Sequence, residues 1–336
     1  MTYWVPWSDT ELFFETPQEL SVTTPEKRGL TDDEVISRIS RIPESPYVFI
    51  DYLPPSSAYR LLLDRLANSA RIVYVSSWRL GLDKLAESVA ELERLERRPP
   101  LAPIREFADE DHLLESTVLI YPRTSRLLLQ DVVKTPEEHL TWLLKIYGLG
   151  GLANSATRLY SLELSYDSEG TIQGIWTQND SPPPPTPSFE SVVVSPGKAP
   201  LDSTFYLAAQ SIILSSAACK EGSTILSVSE CRDGLGPPEF VKQLYNIFKM
   251  GQEGGLTPES GPSEVMAYKL ARVLRSYRTY LVTSLPRSLA RTLLGLKAFD
   301  TLQEGITQLL RLHGRSHKML LIKDGLHRDP STLEAR

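Results

Sequence analysis

Short apolar runs that alternate with helical patterns constrain the fold of this chain more than any other feature. In the second half of the sequence, these runs lie at residues 191–195, 224–229, 279–283 and 319–322. The helical patterns that separate them lie at residues 204–219, 238–248, 265–276 and 301–312. Short apolar runs of this kind are typical of strands buried on both faces, which occur in parallel sheets covered by helices. The pattern therefore predicts an α/β domain.

The first half of the chain carries the same alternation. The predicted strands and helices lie at residues 47–50, 57–67, 71–76, 82–97, 116–121 and 136–147. Thr135 precedes the last helix and is a suitable N-cap. Residues 161–166 and 171–177 flank a turn-rich segment and are predicted to form a hairpin. We therefore expect two α/β domains with mainly parallel sheets covered by helices, and a cleft between the domains.

A run of prolines separates the two halves. Residues 182–185 are consecutive prolines, and Pro187 follows them. Proline fixes φ and has no N–H to donate, so such a run cannot lie inside a helix or a central strand. We predict a stiff linker at residues 181–188, between an N-terminal domain at residues 1–180 and a C-terminal domain at residues 189–336.

Composition and charge narrow the class of protein. Of 336 residues, 41% are hydrophobic and 23% are charged, and the net charge is −6 without a long run of one sign. This excludes the basic footprint of a nucleic-acid-binding protein and a polybasic membrane patch. No stretch reaches the roughly 18–20 apolar residues of a membrane span, and no secretory signal is recognisable. Cys219 and Cys231 match no zinc spacing. We expect a cytoplasmic protein without a metal, nucleic-acid or membrane partner.

One loop of the predicted C-terminal domain has the residues of a ligand-binding turn. It reads Ser-Glu-Cys-Arg-Asp-Gly-Leu-Gly at residues 229–236, between a predicted strand and a predicted helix. Open α/β sheets bind ligands in the loops at the carboxyl ends of their strands. Gly234 and Gly236 permit positive φ and a close approach of the backbone to a ligand. The same residues also suit a tight connection that binds nothing.

The order of motifs around this loop resembles the C-terminal domain of the LarA-type nickel-dependent lactate racemases. In that family a Gly-Tyr-Pro-Leu-Asp-like loop precedes an Ala-Glu-Cys-x-x-Gly-x-Gly loop, and residues 195–202 and 229–236 are similar to them. The similarity continues through residues 269–274, 279–283 and 301–304 to residues 324–325. In the first half, residues 47–63, with Asp51 at the strand end, resemble the family's first strand, loop and helix.

The resemblance implies a two-domain protein with an interdomain active site. Members of the family carry a nickel-pincer nucleotide joined to a lysine of the N-terminal domain. Two histidines exchange a proton or assist hydride transfer at the carbon that bears the 2-hydroxyl group. A third histidine ligates nickel. Imidazole suits this role because it titrates near neutral pH. An arginine holds the substrate carboxylate, since its planar fork donates two parallel hydrogen bonds.

Several of these residues are missing from the matching positions. No histidine precedes His112. The family's Gly-Thr-His loop corresponds to residues 75–78, which end in serine and tryptophan. The family's histidine- and glycine-rich stretch corresponds to residues 121–126, which contain neither residue, and Lys134 is the nearest lysine. The arginine of the first loop is also absent.

The C-terminal domain shows similar losses. The family's Tyr-Gln-x-x-Lys helix matches residues 206–210, so Tyr206 is retained while Gln210 replaces the lysine. The leucine at the second position of this helix motif replaces the family's glutamine and cannot hold a carboxylate. The tryptophan that ends residues 75–78 in the N-terminal domain cannot relay a proton near neutral pH. We therefore predict that the usual nickel-pincer catalysis is absent and that no cofactor is bound.

The remaining polar and glycine residues of the matching loops and helix are the predicted ligand contacts. These are Asp51, Ser56, Ser57, Tyr206, Gln210, Glu230, Arg232, Asp233, Gly234 and Gly236. Arg232 is suited to bind a carboxylate or a phosphate. Asp233 would either orient the Arg232 side chain or cap the next helix. The alternative is that the two residues only form a salt bridge within the loop. The sequence identifies no catalytic residue, and the candidates are His112, His139 and Lys134.

Other residues have simpler interpretations. Cys231 is interpreted as a packed thiol because no base is visible beside it. His313, His317 and His327 lie among arginines and lysines and are interpreted as part of a solvated basic tail.

A nucleotide site beside a helix start at residues 234–236 is a third possibility, although the dinucleotide pattern's third glycine is missing.

The resemblance leads to two hypotheses about function. The first is a divergent LarA-like protein without nickel-pincer catalysis, which binds a small carboxylate or phosphate or serves as an accessory protein. Its partner would be a second copy or a catalytic relative. The alternative is an active racemase or epimerase of a 2-hydroxy acid with relocated catalytic residues, and only this alternative calls for the nickel-pincer nucleotide. It requires that His112, His139 and Lys134 meet opposite Tyr206.

Overall fold

The chain folds into two compact α/β units. The computed structural model describes residues 1–25, 29–43, 45–52, 60–67, 70–76, 78–80, 101–103, 117–150, 158–167, 171–177, 186–251 and 255–329. The C-terminal unit comprises Met1–Glu26, Pro183–Leu256 and Ser263–Arg336. The N-terminal unit comprises Lys27–Pro182 and Thr257–Pro262. The predicted contacts Ser56 and Ser57, the candidate His112 and most of the predicted linker lie outside the described residues.

Strands and helices alternate through both halves, as the apolar runs predict. In the first half the elements are β1 (Thr2–Trp7), β2 (Thr10–Glu15), β3 (Ser21–Thr23), α1 (Asp32–Ile39), β4 (Ser45–Ile50), α2 (Arg60–Ala67), β5 (Ala70–Val75), β6 (Leu101–Pro103), β7 (Thr117–Pro122), α3 (Arg123–Leu129), α4 (Pro136–Ile146), β8 (Leu159–Tyr166) and β9 (Ile172–Thr177). In the second half they are β10 (Phe189–Val194), α5 (Phe205–Ser215), β11 (Cys219–Val228), α6 (Pro238–Lys249), α7 (Pro262–Ser276), β12 (Arg278–Val282), α8 (Arg287–Leu294), β13 (Lys297–Phe299), α9 (Leu302–His313) and β14 (Lys318–Ile322).

The C-terminal unit is built on a parallel sheet with the strand order β13-β12-β11-β10-β14-β3. Its central strands are buried on both faces, which explains their continuous apolar character. Helix α5 packs on β10 and β11, and α9 packs across β10 to β13. Since all strands run in the same direction, the loops that follow β10, β11, β12 and β14 lie along one edge of the sheet.

The first strands of the chain belong to the C-terminal unit, which differs from the predicted boundaries. Strands β1 and β2 form an antiparallel hairpin, and β3 pairs with β14 at the edge of the sheet. Val5 and Phe14 are fully buried in the same apolar core as Val193 and Leu226. The short segment Thr257–Pro262 groups with the N-terminal unit, where the Trp142 indole N–H donates to the Ser260 carbonyl at 2.9 Å.

The N-terminal unit has a sheet with the strand order β6-β5-β4-β7-β8-β9. All neighbouring strands are parallel except β8 and β9, which form the predicted antiparallel hairpin. Its core includes Val48, Val73, Val118 and Leu162 from four neighbouring strands. The predicted fold class, with mainly parallel sheets covered by helices, is therefore confirmed. Among the described residues, no helix has both the length and the apolarity that crossing a membrane requires.

Threonine residues mark the starts of several helices. The Thr135 hydroxyl accepts a hydrogen bond from the Glu138 amide at 3.2 Å, which confirms it as the N-cap of α4. Thr204 caps α5, and Thr31 forms a capping box at the start of α1. These local contacts fix where each helix begins.

Candidate functional site

A buried polar cluster lies at the carboxyl ends of β4 and β5 in the N-terminal unit. Asp51 follows β4 and is fully buried. The Trp78 indole N–H donates to Asp51 Oδ1, and His139 Nε2 lies 3.1 Å from Asp51 Oδ2. Both carboxylate oxygens therefore have a partner within the unit. We call Asp51, Trp78 and His139 the aspartate cluster.

Three elements position the aspartate cluster. Trp78 lies in a short 3₁₀ turn after β5, and His139 lies in the first turns of α4, which Thr135 caps. The ring of Trp78 packs edge-on against Trp142, with ring centroids 5.3 Å apart. Because the carboxyl ends of parallel strands meet at one edge of the sheet, a residue after β4 and a turn after β5 come together there.

One ring nitrogen of His139 is held by Asp51, and the other has no hydrogen-bond partner among the described residues. A carboxylate only accepts hydrogen bonds, so in the neutral imidazole Nε2 carries the proton that Asp51 accepts, and Nδ1 is the basic nitrogen. Within the described part of the chain, Nδ1 makes no hydrogen bond. The ring packs on Tyr121, and burial, followed by the negative charge of Glu163, raises the pKa of that phenol. This is the arrangement of an oriented proton acceptor.

Arginine side chains also lie at these strand ends, and the sequence interpretation did not single them out. Arg123 and Arg126 bind the two oxygens of the buried Glu163, at 3.1 Å and 2.8 Å. Arg79 is almost fully buried; its guanidinium lies 4.9 Å from the Tyr52 ring centroid. Burial raises the pKa of Tyr52 to about 12, against the opposing effect of Arg79. The sequence signal for these arginines is their place directly after predicted strands.

The residues at this edge do not fit the nickel-pincer nucleotide as the resemblance describes it. The resemblance places Ser77 or Trp78 where the family has a histidine, and the Trp78 indole N–H donates but cannot ligate a metal. Lys134 is exposed, and its ammonium donates to the Gln130 carbonyl. Among the described residues, no three histidine, cysteine, aspartate or glutamate side chains are grouped to hold a metal.

The loops at the carboxyl edge of the C-terminal unit are bound to each other through their backbones. The Cys231 and Asp233 amides donate to the carbonyls of Asp202 and Ser203, both at 2.8 Å. Loop 229–236 also reaches the start of α5, where the first two amides donate to the Gly234 and Leu235 carbonyls. These helix amides are therefore not available to a phosphate.

The next helix start has fewer amides to offer a phosphate. Helix α6 begins at Pro238 after Pro237, and neither residue has an N–H to donate. The structure gives no support to a nucleotide site beside the glycines of this loop.

The two glycines of loop 229–236 differ in their surroundings. Gly236 has φ of 103°, and a Cβ atom there would lie 2.5 Å from the Cβ atom of Tyr206. Gly234 has φ of 85° and no neighbour within 4 Å of such an atom. The close approach at Gly236 is therefore made to helix α5, which is a packing reason for glycine. Contact of either glycine with a ligand stays a prediction.

The predicted ligand contacts separate into buried and exposed residues. Tyr206 and Gln210 are buried on α5, and Tyr206 packs edge-on against Phe240. Arg232 and Asp233 are exposed, and Glu230 is half-buried. In the N-terminal unit, the structure brings Asp51 and His139 together, whereas Lys134 is on the surface. Their roles in binding or catalysis stay predictions.

Cys231 is a buried thiol, as predicted. It has φ of 55°, and its sulfur lies 3.3 Å from the Ser229 hydroxyl oxygen. Burial raises the pKa of the thiol to about 11, although the hydroxyls of Ser229 and Thr283 act in the opposite direction. The group is protonated at neutral pH and is a poor nucleophile.

The interpretation of the last histidines as a solvated tail is wrong. His317 and His327 are buried, and His317 binds the Ser191 hydroxyl and the Gly314 carbonyl, both at 2.7 Å. The segment after β14 folds back onto the loop after β10, where the Gly325 amide donates to the Ser195 carbonyl at 2.8 Å. His313 is half-buried, and burial lowers its pKa.

Together, these loops and sheets define a two-unit α/β protein whose C-terminal unit carries the motifs of the lactate racemases. Residues 186–327 match the family model of the lactate racemase C-terminal domain. The sequence similarity to the lactate racemases is therefore concentrated in the C-terminal unit.

Two curated relatives are lactate racemases. The protein from Lactiplantibacillus plantarum is 27% identical over 143 residues, which cover 39% of this chain and 32% of the relative. The protein from Thermoanaerobacterium thermosaccharolyticum is 29% identical over 102 residues, covering 27% of this chain and 23% of the relative. The matched segments thus span about a third and a quarter of the relatives' lengths.

A solved structure extends the similarity in fold to nearly the whole chain. The structure of the lactate racemase apoprotein from Thermoanaerobacterium thermosaccharolyticum has a TM-score of 0.62 and 16% sequence identity to this chain. The match covers 97% of this chain and 99% of that one. The shared fold does not by itself define a shared activity.

Proposed function

We propose that this protein binds a small carboxylate or phosphate and does not perform the usual nickel-pincer catalysis. The observation that carries the proposal is the aspartate cluster. The Trp78 indole N–H donates to one carboxylate oxygen of Asp51, and His139 Nε2 lies at hydrogen-bond distance from the other. Both oxygens of this buried carboxylate have hydrogen-bond partners within the protein. The carboxylate therefore does not require a cofactor or a substrate group as a partner. In this role the protein is a binding or accessory relative of the racemases.

Arg232 supports the choice of an anionic ligand. It lies in the loop that carries the family motif, at the carboxyl end of β11. Its side chain is exposed and makes no hydrogen bond or ion pair with any residue that the structure describes. Arginine binds carboxylates and phosphates through two hydrogen bonds, and this edge of the sheet is where α/β proteins bind ligands.

The proposal is tested on the 336-residue chain, expressed with added nickel and nicotinic acid. We expect an intact mass that equals the sequence mass, and nickel well below one equivalent. We also expect calorimetry to detect binding of lactate or inorganic phosphate. Arg232→Ala should weaken that binding about tenfold, while Arg311→Ala, a change of an exposed arginine on α9, should not. A covalent nucleotide adduct with stoichiometric nickel would overturn the proposal.

A second candidate function is an active racemase or epimerase of a 2-hydroxy acid that uses His139. The observation that favours it is the Asp51–His139 pair, in which the carboxylate orients the imidazole and leaves Nδ1 basic. An imidazole oriented in this way can accept and return a proton.

Chiral chromatography of lactate and malate after incubation with the protein tests this second function. It requires interconversion of the enantiomers that falls by about a hundredfold or more in His139→Gln. His313→Gln, a change of a half-buried histidine in the C-terminal unit, is the control and should retain activity. Absence of interconversion with every acid tested would eliminate this candidate.

A further inference from the structure

We infer that Lys198, Arg232 and Lys323 form a site in the C-terminal unit for a small molecule with two or more acidic groups. The inference rests on the proposed binding of anions and specifies the ligand class. Each residue lies in the loop that follows one strand, after β10, β11 and β14 respectively. These strands are neighbours in the sheet, in the order β11-β10-β14. We call the three residues the cation triad.

The strands that precede the cation triad end close to one another at the edge of the sheet. Neighbouring strands of a sheet lie about 4.8 Å apart, so the two outer strands of this set are about 10 Å apart. Lysine and arginine side chains are long, and all three residues are exposed. A ligand with two acidic groups can therefore contact cations from more than one loop at once.

Backbone hydrogen bonds hold the three loops together. The Gly325 and Leu326 amides of the loop after β14 donate to the Ser195 and Pro196 carbonyls of the loop after β10, at 2.8 Å and 3.3 Å. On the other side, the two amides that flank Arg232 donate to carbonyls at the end of the same β10 loop. Lys198 thus lies in the central loop, which is bonded to both of its neighbours. A site fixed in this way requires little ordering when a ligand binds.

The cation triad consists of basic residues for which the described part of the chain shows no acidic partner. Within the described residues, none of the three side chains makes an ion pair or a hydrogen bond. By contrast, Lys220 pairs with Glu190, Arg287 with Asp300 and Arg328 with Asp324. Single unpaired cations are common on surfaces, but three on linked loops at a ligand-binding edge of a sheet point to an anion.

The acidic residues near the cation triad do not neutralise it. Asp202 is fully buried, and its Oδ2 accepts the Ser8 amide at 2.6 Å. One carboxylate oxygen of Glu230 is shielded from solvent. Asp233 is therefore the one fully exposed carboxylate in the described loops after β10 and β11, beside Lys198 and Arg232. The three exposed cations therefore outnumber the two carboxylates, Glu230 and Asp233, that reach solvent in the described loops after β10 and β11.

Calorimetry on the full-length protein at about 50 mM salt, where screening of exposed charges is modest, tests the inference. The probes are lactate, malate, 3-phosphoglycerate and inorganic phosphate. We expect malate or 3-phosphoglycerate to bind at least about tenfold more tightly than lactate. The two probes distinguish a dicarboxylate from a phosphorylated acid, and tighter binding of either one supports the site.

Variants distinguish binding at a specific site from non-specific electrostatic attraction of the anionic probes. We expect each triad variant to lower the affinity for the more tightly bound probe about fivefold to tenfold. The variants are Lys198→Gln, Arg232→Gln and Lys323→Gln. Lys220→Gln and Arg311→Gln remove the same charge elsewhere in the unit and should leave affinity unchanged. Unchanged melting temperatures verify that the exposed substitutions leave the fold intact. Equal losses in triad and control variants would overturn the inference.

The outcomes also separate this inference from the proposed function. Lactate or inorganic phosphate binding as tightly as malate and 3-phosphoglycerate would overturn the inference while anion binding itself stands. Absence of binding by all four probes would overturn both. A covalent nickel-pincer adduct together with triad-dependent malate binding would overturn the proposed lack of catalysis and support the triad.

Discussion

At the scale of single residues, the two glycines of loop 229–236 allow a matched comparison. An alanine at either position has an unfavourable positive φ, but only at Gly236 would the new methyl group meet helix α5. We expect Gly236→Ala to lower the free energy of unfolding by about 2–4 kcal/mol and Gly234→Ala by about 1 kcal/mol. Urea denaturation followed by circular dichroism measures both. Equal losses would contradict the tight contact with Tyr206.

The two buried thiols give a pH prediction. Burial raises the pKa of Cys219 to about 12 and that of Cys231 to about 11. At about pH 8 both are thiols, so we expect a disulfide reagent to react slowly with native protein and rapidly with two groups after unfolding. Fast reaction of either thiol in the native protein would contradict their burial.

The same pKa shifts predict how stability changes with pH. Above the unfolded pKa of about 8.5 the unfolded chain loses thiol protons that the native chain retains. The native state then binds more protons than the unfolded state, so stability should fall as pH rises from about 8.5 towards 11. The double variant Cys219→Ser and Cys231→Ser should reduce this fall.

Asp51 joins three elements of the N-terminal unit. Asp51→Ala leaves the Trp78 indole N–H and a His139 nitrogen buried without an acceptor, which should lower the free energy of unfolding by about 3 kcal/mol. Asp51→Asn keeps one acceptor oxygen and should cost less. Tryptophan fluorescence during denaturation follows the change, because Trp78 and Trp142 lie in the cluster. Identical costs for the two variants would contradict the hydrogen bonds assigned to Asp51.

At the scale of elements, helix α9 depends on its cap. The Thr301 hydroxyl accepts the Glu304 amide at 3.2 Å, at the N-terminus of a helix that packs across the C-terminal sheet. We expect Thr301→Ala to cost about 1 kcal/mol in denaturation experiments. Thr307→Ala, within the same helix, should cost little because alanine has a high helix propensity. A larger loss at Thr307 would contradict the capping assignment.

At the scale of the whole molecule, the first residues of the chain stabilise its second half. The hairpin of β1 and β2 contributes Val5 and Phe14 to the core, and the Ser8 amide binds Asp202. We expect deletion of residues 1–25 to increase hydrogen exchange in β14 and in the loop after β10. Strands β4, β5 and β7 should keep their protection. Exchange measured by mass spectrometry would contradict this if both units changed equally.

The sequence by itself determined the fold class. Strands buried on both faces must be apolar, and helix starts need caps, so the alternation of strands and helices and the Thr135 cap could be predicted from local patterns. The same patterns missed eight elements of at most eight residues each, namely β1, β2, β3, α1, β6, α3, α8 and β13. They also placed the start of β11 five residues late, at residue 224. The motif of loop 229–236 indicated the resemblance to the racemases, while contact of Arg232 with an anion stays a prediction.

Only the tertiary structure decided which distant residues meet. Asp51 and His139 are 88 positions apart, and Ser8 and Asp202 are 194 apart. No local pattern encodes such pairs, because they depend on strand order and on how helices pack on the sheet. For the same reason the linked loops of the cation triad and the burial of His317 and His327 could not be read from the sequence. Periodicity and caps specify elements, whereas packing across the sheet specifies the neighbours that make a site.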